Sequence, residues 1–145
     1  MKKIGLASDH AGFKLKKYLT EKLEKEGYEI HDFGCTSSDS CDYPDFAHPM
    51  ALAMSNREID MAFSMCGSGN GINMAVNKHS NIRSALCWNK EIAKLARSHN
   101  DANICALPAR FISRPIAWHI CKIFLSTTFD GGRHKTRIDK IPWQG

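Results

Sequence analysis

Apolar positions along this chain switch between two rhythms. KIGLAS (3–8) is a short apolar run and predicts a buried strand. Leu15, Leu19 and Leu23 then recur every four residues among lysines and glutamates. That spacing predicts a helix over 11–26, stopped by Gly27. YEIHDF (28–33) alternates and predicts a second strand, followed by a loop of Gly, Cys, Thr, Ser and Asp up to Pro44. Phe46, Met50 and Met54, with Ala47 and Ala51, mark the next helix. DMAFSMC (60–66) is the third strand, and a helix follows near 70–78. IRSALCW (82–88) is the fourth strand, and Ile92, Leu95 and Ala96 mark a short helix over 89–98. ANICAL (102–107) is the fifth strand, and Ile112, Ile116, Ile120, Ile123 and Phe124 mark a helix over 113–126. From Phe129 the tail is polar and basic.

Strands that alternate with helices predict a parallel sheet covered on both faces. No repeat, low-complexity segment or Pro/Gly/Ser-rich linker divides the chain. The expectation is one domain over residues 1–145: a Rossmann-like, doubly wound α/β/α fold with five parallel strands. Such sheets bind ligands beyond the carboxyl ends of their strands. Asp9 and His10 follow the first strand, Asp42 and Tyr43 lie in the loop after the second, and Cys66 ends the third. His99 and Asn100 lie just before the fifth. We expect these residues to converge on one site.

Composition narrows the class. The chain is 43% hydrophobic and 24% charged, ordinary for a globular protein, and its formal charge of +5 is too small to select a polyanionic partner. No stretch approaches the roughly 20 apolar residues of a membrane span. The opening MKKIGLASDHAGF has too short an apolar run for a signal peptide, so a cytoplasmic location is expected. The six cysteines are scattered, with no Cys-x-x-Cys, and read as small core residues in a reducing compartment. No metal and no cofactor are expected.

The chemistry concentrates in CGSGNGI (66–72). Successive glycines let backbone N–H groups point at one spot, and a following helix adds its positive end. The glycine spacing misses G-x-G-x-x-G, and the Lys-Ser/Thr end of a P-loop is missing. A cysteine-dependent phosphatase wants an arginine six residues after the cysteine, where this chain has Ile72. What remains is a nest suited to an oxygen that turns negative during reaction, beside a cysteine able to abstract a proton. The plain alternative is a core cysteine beside a tight turn.

Asp9 suits a helix N-cap, and His99 stands in a polar turn. GGRHKTR (131–137) spaces Arg133 and Arg137 four apart, so a helix there makes them a phosphate clamp. Arg110, after the fifth strand, is expected in the same cluster. Nucleic-acid binding wants a broader basic stripe with exposed aromatics and is not expected.

Together SDHAGF, DYPDFA, CGSGNGI, SHNDAN and GGRHKTR, in this order and spacing, resemble the type B ribose 5-phosphate isomerases along nearly the whole chain. Galactose 6-phosphate isomerase subunits share parts of the pattern. The resemblance implies a metal-free aldose–ketose isomerase interconverting ribose 5-phosphate and ribulose 5-phosphate through an enediolate. By position, it makes Cys66 the base between C2 and C1. The amides of Gly67, Ser68, Gly69, Asn70 and Gly71, helped by the Ser68 hydroxyl, hold the enediolate oxygen. His99 opens the sugar ring. Asp9, Tyr43 and Asn100 bind the sugar, and His10, Arg133 and Arg137 the phosphate. Arg110 comes from a second subunit, which implies a homodimer or a dimer of dimers. Some relatives carry a glutamate base later in this loop. Here position 70 is Asn, so Cys66 has no rival. Two other readings fit the same residues: an isomerase of a six-carbon sugar phosphate (allose 6-phosphate or galactose 6-phosphate), and a sugar-phosphate-binding module without turnover.

Overall fold

The structure, a computed structural model, describes all 145 residues. Five parallel strands run in the order β2-β1-β3-β5-β4: β1 (Lys3–Ser8), β2 (Glu29–Asp32), β3 (Met61–Cys66), β4 (Ser84–Leu86) and β5 (Ile104–Pro108). Six helices connect and follow them: α1 (Phe13–Lys25), α2 (Pro44–Ser55), α3 (Asn70–Val76), α4 (Lys90–Ser98), α5 (Arg114–Ser126) and α6 (Arg133–Ile138). The expected doubly wound α/β/α fold is the fold observed. No helix is long and apolar enough to cross a membrane.

Because side chains alternate across a strand, each strand feeds two cores. Leu6, Phe63, Met65, Cys105 and Leu107 face the leucine stripe of α1 and the apolar sides of α4 and α5. Ala7, Ala62, Cys66, Ile104 and Ala106 face α2 and α3. The small residues of this second set let α2 and α3 lie close to the sheet. Cys66 therefore points toward α3, the helix that begins four residues after it.

Helix ends follow local chemistry. Asp9 Oδ1 accepts the N–H groups of Ala11 (2.9 Å) and Gly12 (3.2 Å), capping a single 3-10 turn that leads into α1. Gly27 sits at φ +92° just past α1, where its backbone freedom ends the helix. β4 is shorter than the 82–88 expectation, because it is an edge strand paired only with β5, and Ser84, Ala85 and Leu86 all remain half-buried. The basic tail does turn helical, as α6.

Chain direction decides what meets what. β1 leaves for β2 through α1 on one face, and β3 leaves for β4 through α3 on the other. The crevice between the carboxyl ends of β1 and β3 is thus the topological switch point. Helices return antiparallel to the strands, so the carboxyl end of α4 reaches the opposite, amino edge of the sheet.

Candidate active site

Asp9 and Cys66 stand side by side at the switch point. Ser8 pairs with Met65 in the ladder, and the Asp9 N–H donates to Met65 O at 3.3 Å. After Cys66 the chain is strapped to the end of β5: Ala109 N–H donates to Cys66 O (2.9 Å) and Arg110 N–H to Gly67 O (3.0 Å). With those carbonyls held on the β5 side, the amides of Gly67, Ser68 and Gly69 have no hydrogen-bond acceptor within the protein. Gly69 caps α3 at φ +78°, a conformation that costs a side-chain-bearing residue about 1 kcal/mol or more. Asn70 N–H differs from its neighbours, because it donates to Ser68 Oγ at 3.2 Å. The Ser68 hydroxyl therefore steadies the loop, and the Gly71 N–H joins those of Gly67, Ser68 and Gly69 in having no acceptor within the protein.

Cys66 is buried, 5% exposed, and packs within the α2/α3 core beneath the start of α3. Tyr43, at the N-cap of α2, lays its ring against Gly71, so that a Cβ there would collide with the ring carbon and hydroxyl. Gly71→Ala is expected to displace Tyr43 and lower stability by about 1–3 kcal/mol, read as a shifted urea midpoint at constant m. An unchanged midpoint would remove this contact from the account of the site. His10 Nδ1 accepts the Cys41 N–H at 3.3 Å, which ties the ring to the loop between β2 and α2. Arg110 is exposed, and its guanidinium comes within 3.0 Å of where a Gly67 Cβ would stand.

The other expected residues lie elsewhere. His99 is the C-cap of α4, and Asn100 follows it. In the β3–β5 ladder Cys66 pairs with Pro108 and Ala62 with Ile104, so roughly 13 Å of strand separates the two ends of the sheet. His99 lies beyond the far end. Arg133 and Arg137 are there too: Asp130 N–H donates to Ser98 O (2.9 Å), and α6 brings His134 onto His99, their rings stacked 4.2 Å apart at 13°. The expected convergence thus holds for Asp9, His10, Tyr43, Cys66 and Gly67–Gly71 but not, within one chain, for His99, Asn100, Arg133 and Arg137. Arg110 parts from the Arg133–Arg137 pair for the same reason, since it follows the carboxyl end of β5.

His134 was not distinguished in the sequence from its basic neighbours. Partial desolvation, then the positive charges of His99, Arg133 and Arg137, hold its pKa below the ordinary value, which favours a neutral ring in the stack. His99, Asp130 and His134 bring three potential ligand atoms within 4.8 Å of one another, but Arg133 and Arg137 beside them oppose a cation. Lys16 also escaped the pattern. It sits on the helix that the leucine stripe predicts, yet its ammonium is buried and donates to Asp32 Oδ1 and to Cys35 O, each at 2.6 Å. Cys35 N–H in turn donates to Ser8 O (2.9 Å), so Lys16 braces the chain beside Asp9.

Comparison with known proteins agrees with this fold. The sequence profile of the Ribose/Galactose Isomerase family matches residues 4–141. Ribose-5-phosphate isomerase B of Escherichia coli is 39% identical over 141 residues, 97% of this chain and 95% of that protein. The crystal structure of a ribose 5-phosphate isomerase from Thermotoga maritima superposes with a TM-score of 0.96 at 46% identity, covering 97% of each chain. Ribose-5-phosphate isomerase B of Mycoplasma genitalium, solved with bound ribulose-5-phosphate, superposes with a TM-score of 0.90 at 39% identity, covering 96% of this chain and 93% of that one.

Proposed function

The chain belongs to the ribose/galactose isomerase family and interconverts D-ribose 5-phosphate and D-ribulose 5-phosphate; we propose that it does so at a site divided between two copies. The observation that carries this reading is the separation of the two groups of residues. A proton-transfer group must come within about 3 Å of its proton. Cys66 and His99, at opposite ends of one sheet, cannot reach the same sugar. A two-fold axis resolves this, because an isologous pair sets the Cys66 end of each copy against the His99 end of the other. The homodimer is then a condition of catalysis.

The chemistry follows from that pairing. His99 protonates the ring oxygen of ribose 5-phosphate as the hydroxyl at C1 loses its proton, which breaks the C1–O bond and frees the aldehyde. Asp9, Tyr43 and Asn100 hold the open chain. The Cys66 thiolate removes the proton at C2, and the electron pair moves toward O1. The enediolate oxygen meets the unpaired amides of Gly67, Ser68 and Gly69, a contact strongest when the charge is greatest. A proton passes from O2 to O1 of the enediolate, and Cys66 returns its own proton to C1 as the C2–O2 double bond forms, giving the ketose with no net gain or loss of electrons.

The phosphate does not react. Bound by His10 and by Arg133 and Arg137 of α6, it fixes C1 and C2 over the sulfur. Arg110 is exposed beside Gly67 of its own chain, a position from which it reaches a phosphate or sugar in either copy's site. Arg137→Ala is expected to raise KM for ribose 5-phosphate about tenfold or more, with a smaller change in kcat. An equal effect on unphosphorylated ribose would contradict a phosphate clamp. All six cysteines are free thiols, which suits a reducing cytoplasm. The direct test of the function is to follow ribulose 5-phosphate formation from ribose 5-phosphate. A chain that binds the sugar phosphate and forms no ketose would be a binding module.

A further inference from the structure

The turn that carries His99 and Asn100 is held from two sides by arginines that no catalytic step uses. Asp101 stands at φ +46°, in the left-handed region where aspartate is one of the few tolerated side-chain-bearing residues. Its carboxylate is shared. Arg97 Nη1 donates to Oδ1 at 2.9 Å, and Arg83 Nη2 to Oδ2 at 3.1 Å. Arg83 also grips the turn's backbone: Nε donates to Asn100 O (3.0 Å) and Asp101 O (3.2 Å), and Nη2 to Asp101 O (2.9 Å). Arg97, 8% exposed, donates further to Ala102 O (2.7 Å) and through Nε to Thr127 O (3.3 Å), where the connection to α6 begins. One carboxylate therefore ties together the segment before β4, the end of α4 and the approach to α6. These are the elements that set His99 against His134 and beside Arg133.

We propose that Arg83 and Asp101 are positioning residues for ring opening: their clamp fixes the His99–Asn100 turn so that the imidazole meets the ring oxygen of a furanose presented by the other copy. The inference rests on the proposed function above. A turn with a single residue in the left-handed region has little intrinsic preference for this shape, and the forked guanidinium, with five donors in one plane, is what selects it. Lysine offers no such fork.

The two substrates separate positioning from general damage. Ribose 5-phosphate is mostly a closed ring and needs His99 to open it. Ribulose 5-phosphate is open, because the hydroxyl that would close a five-membered ring at C2 carries the phosphate. Exchange of its C1 proton with solvent needs no ring opening and so bypasses His99, although it still uses Cys66, the amide nest and the groups that hold the open chain, Asn100 among them. Arg83→Ala removes every bond from Arg83 to the turn, and Asp101→Gly removes the shared carboxylate while leaving the backbone bonds; the glycine suits the positive φ, and Arg83 is partly exposed, so both chains remain foldable. At saturating substrate, kcat from ribose 5-phosphate is expected to fall roughly 10- to 100-fold, the effect of about 1 Å of misplacement, while C1 exchange in ribulose 5-phosphate, which loses only the share of the hold that Asn100 supplies, falls by about fivefold or less. Arg83→Lys should fall between wild type and Arg83→Ala in the first assay. Equal losses in both assays would reduce the clamp to a fold-stabilising device and overturn the proposal, as would no loss in either. Absence of isomerisation and exchange by the unsubstituted chain would instead sink the functional reading on which it rests.

Discussion

Cys66→Ala is expected to lower the rate of ribose 5-phosphate isomerisation by roughly 10²–10⁴, the contribution of one positioned proton-transfer group. Removal of a single buried sulfur is expected to cost about 1 kcal/mol of stability, so the chain remains folded. Far-UV circular dichroism and a urea titration check the second part, and solvent-proton exchange at C2 of the aldose or C1 of the ketose checks the first. Cys66→Ser keeps nearly the same shape and isolates the chemistry, since a hydroxyl is far less ionised than a thiol at neutral pH. Turnover near that of the unsubstituted chain in either variant would assign Cys66 to the core, where its low exposure and its contacts beneath α3 already place most of its surface. The proton acceptor would then have to be sought elsewhere around the crevice.

A second large effect follows from the division of the site. Cys66→Ala and His99→Ala, each nearly inactive alone, are expected to recover activity when unfolded together and refolded as a mixture. Half of randomly formed dimers contain one copy of each variant, and one of their two sites draws an intact Cys66 from one copy and an intact His99 from the other. The mixture should thus reach about a quarter of the unsubstituted activity at equal total chain. Were Cys66 and His99 to act within one chain, every site in the mixture would lack one of them, and no activity would return. The recovery is an all-or-none distinction that small losses of stability cannot imitate.

Much of the fold was readable along the chain. β1 begins and ends where KIGLAS predicts, because a strand buried on both faces is a continuous apolar run. The leucine stripe of α1 and the isoleucines of α5 mark their helices, since a helix covering a sheet has to be apolar every third or fourth residue. Boundaries drifted where tertiary pairing overrides pattern, most clearly at β4. Its flanking residues Ile82 and Cys87 are as buried as strand residues but lie outside the ladder. Lys16 shows the opposite case. Its charge marks it for the solvent side of a helix, and only the fold brings Asp32 and Cys35 O to its ammonium.

Chemical character travels with the residue, so the order of elements, the glycine nest after a strand-ending cysteine and the paired arginines of the tail could all be recognised before any coordinates. Placement does not travel that way. His99 precedes a strand and Cys66 ends one, and because helices run back against their strands, a residue at the finish of α4 is delivered to the edge of the sheet remote from the sulfur. That direction of travel, together with the clamp on Asp101, emerges from how the layers pack, and it is what turns a list of suitable side chains into two halves of a site awaiting a second molecule.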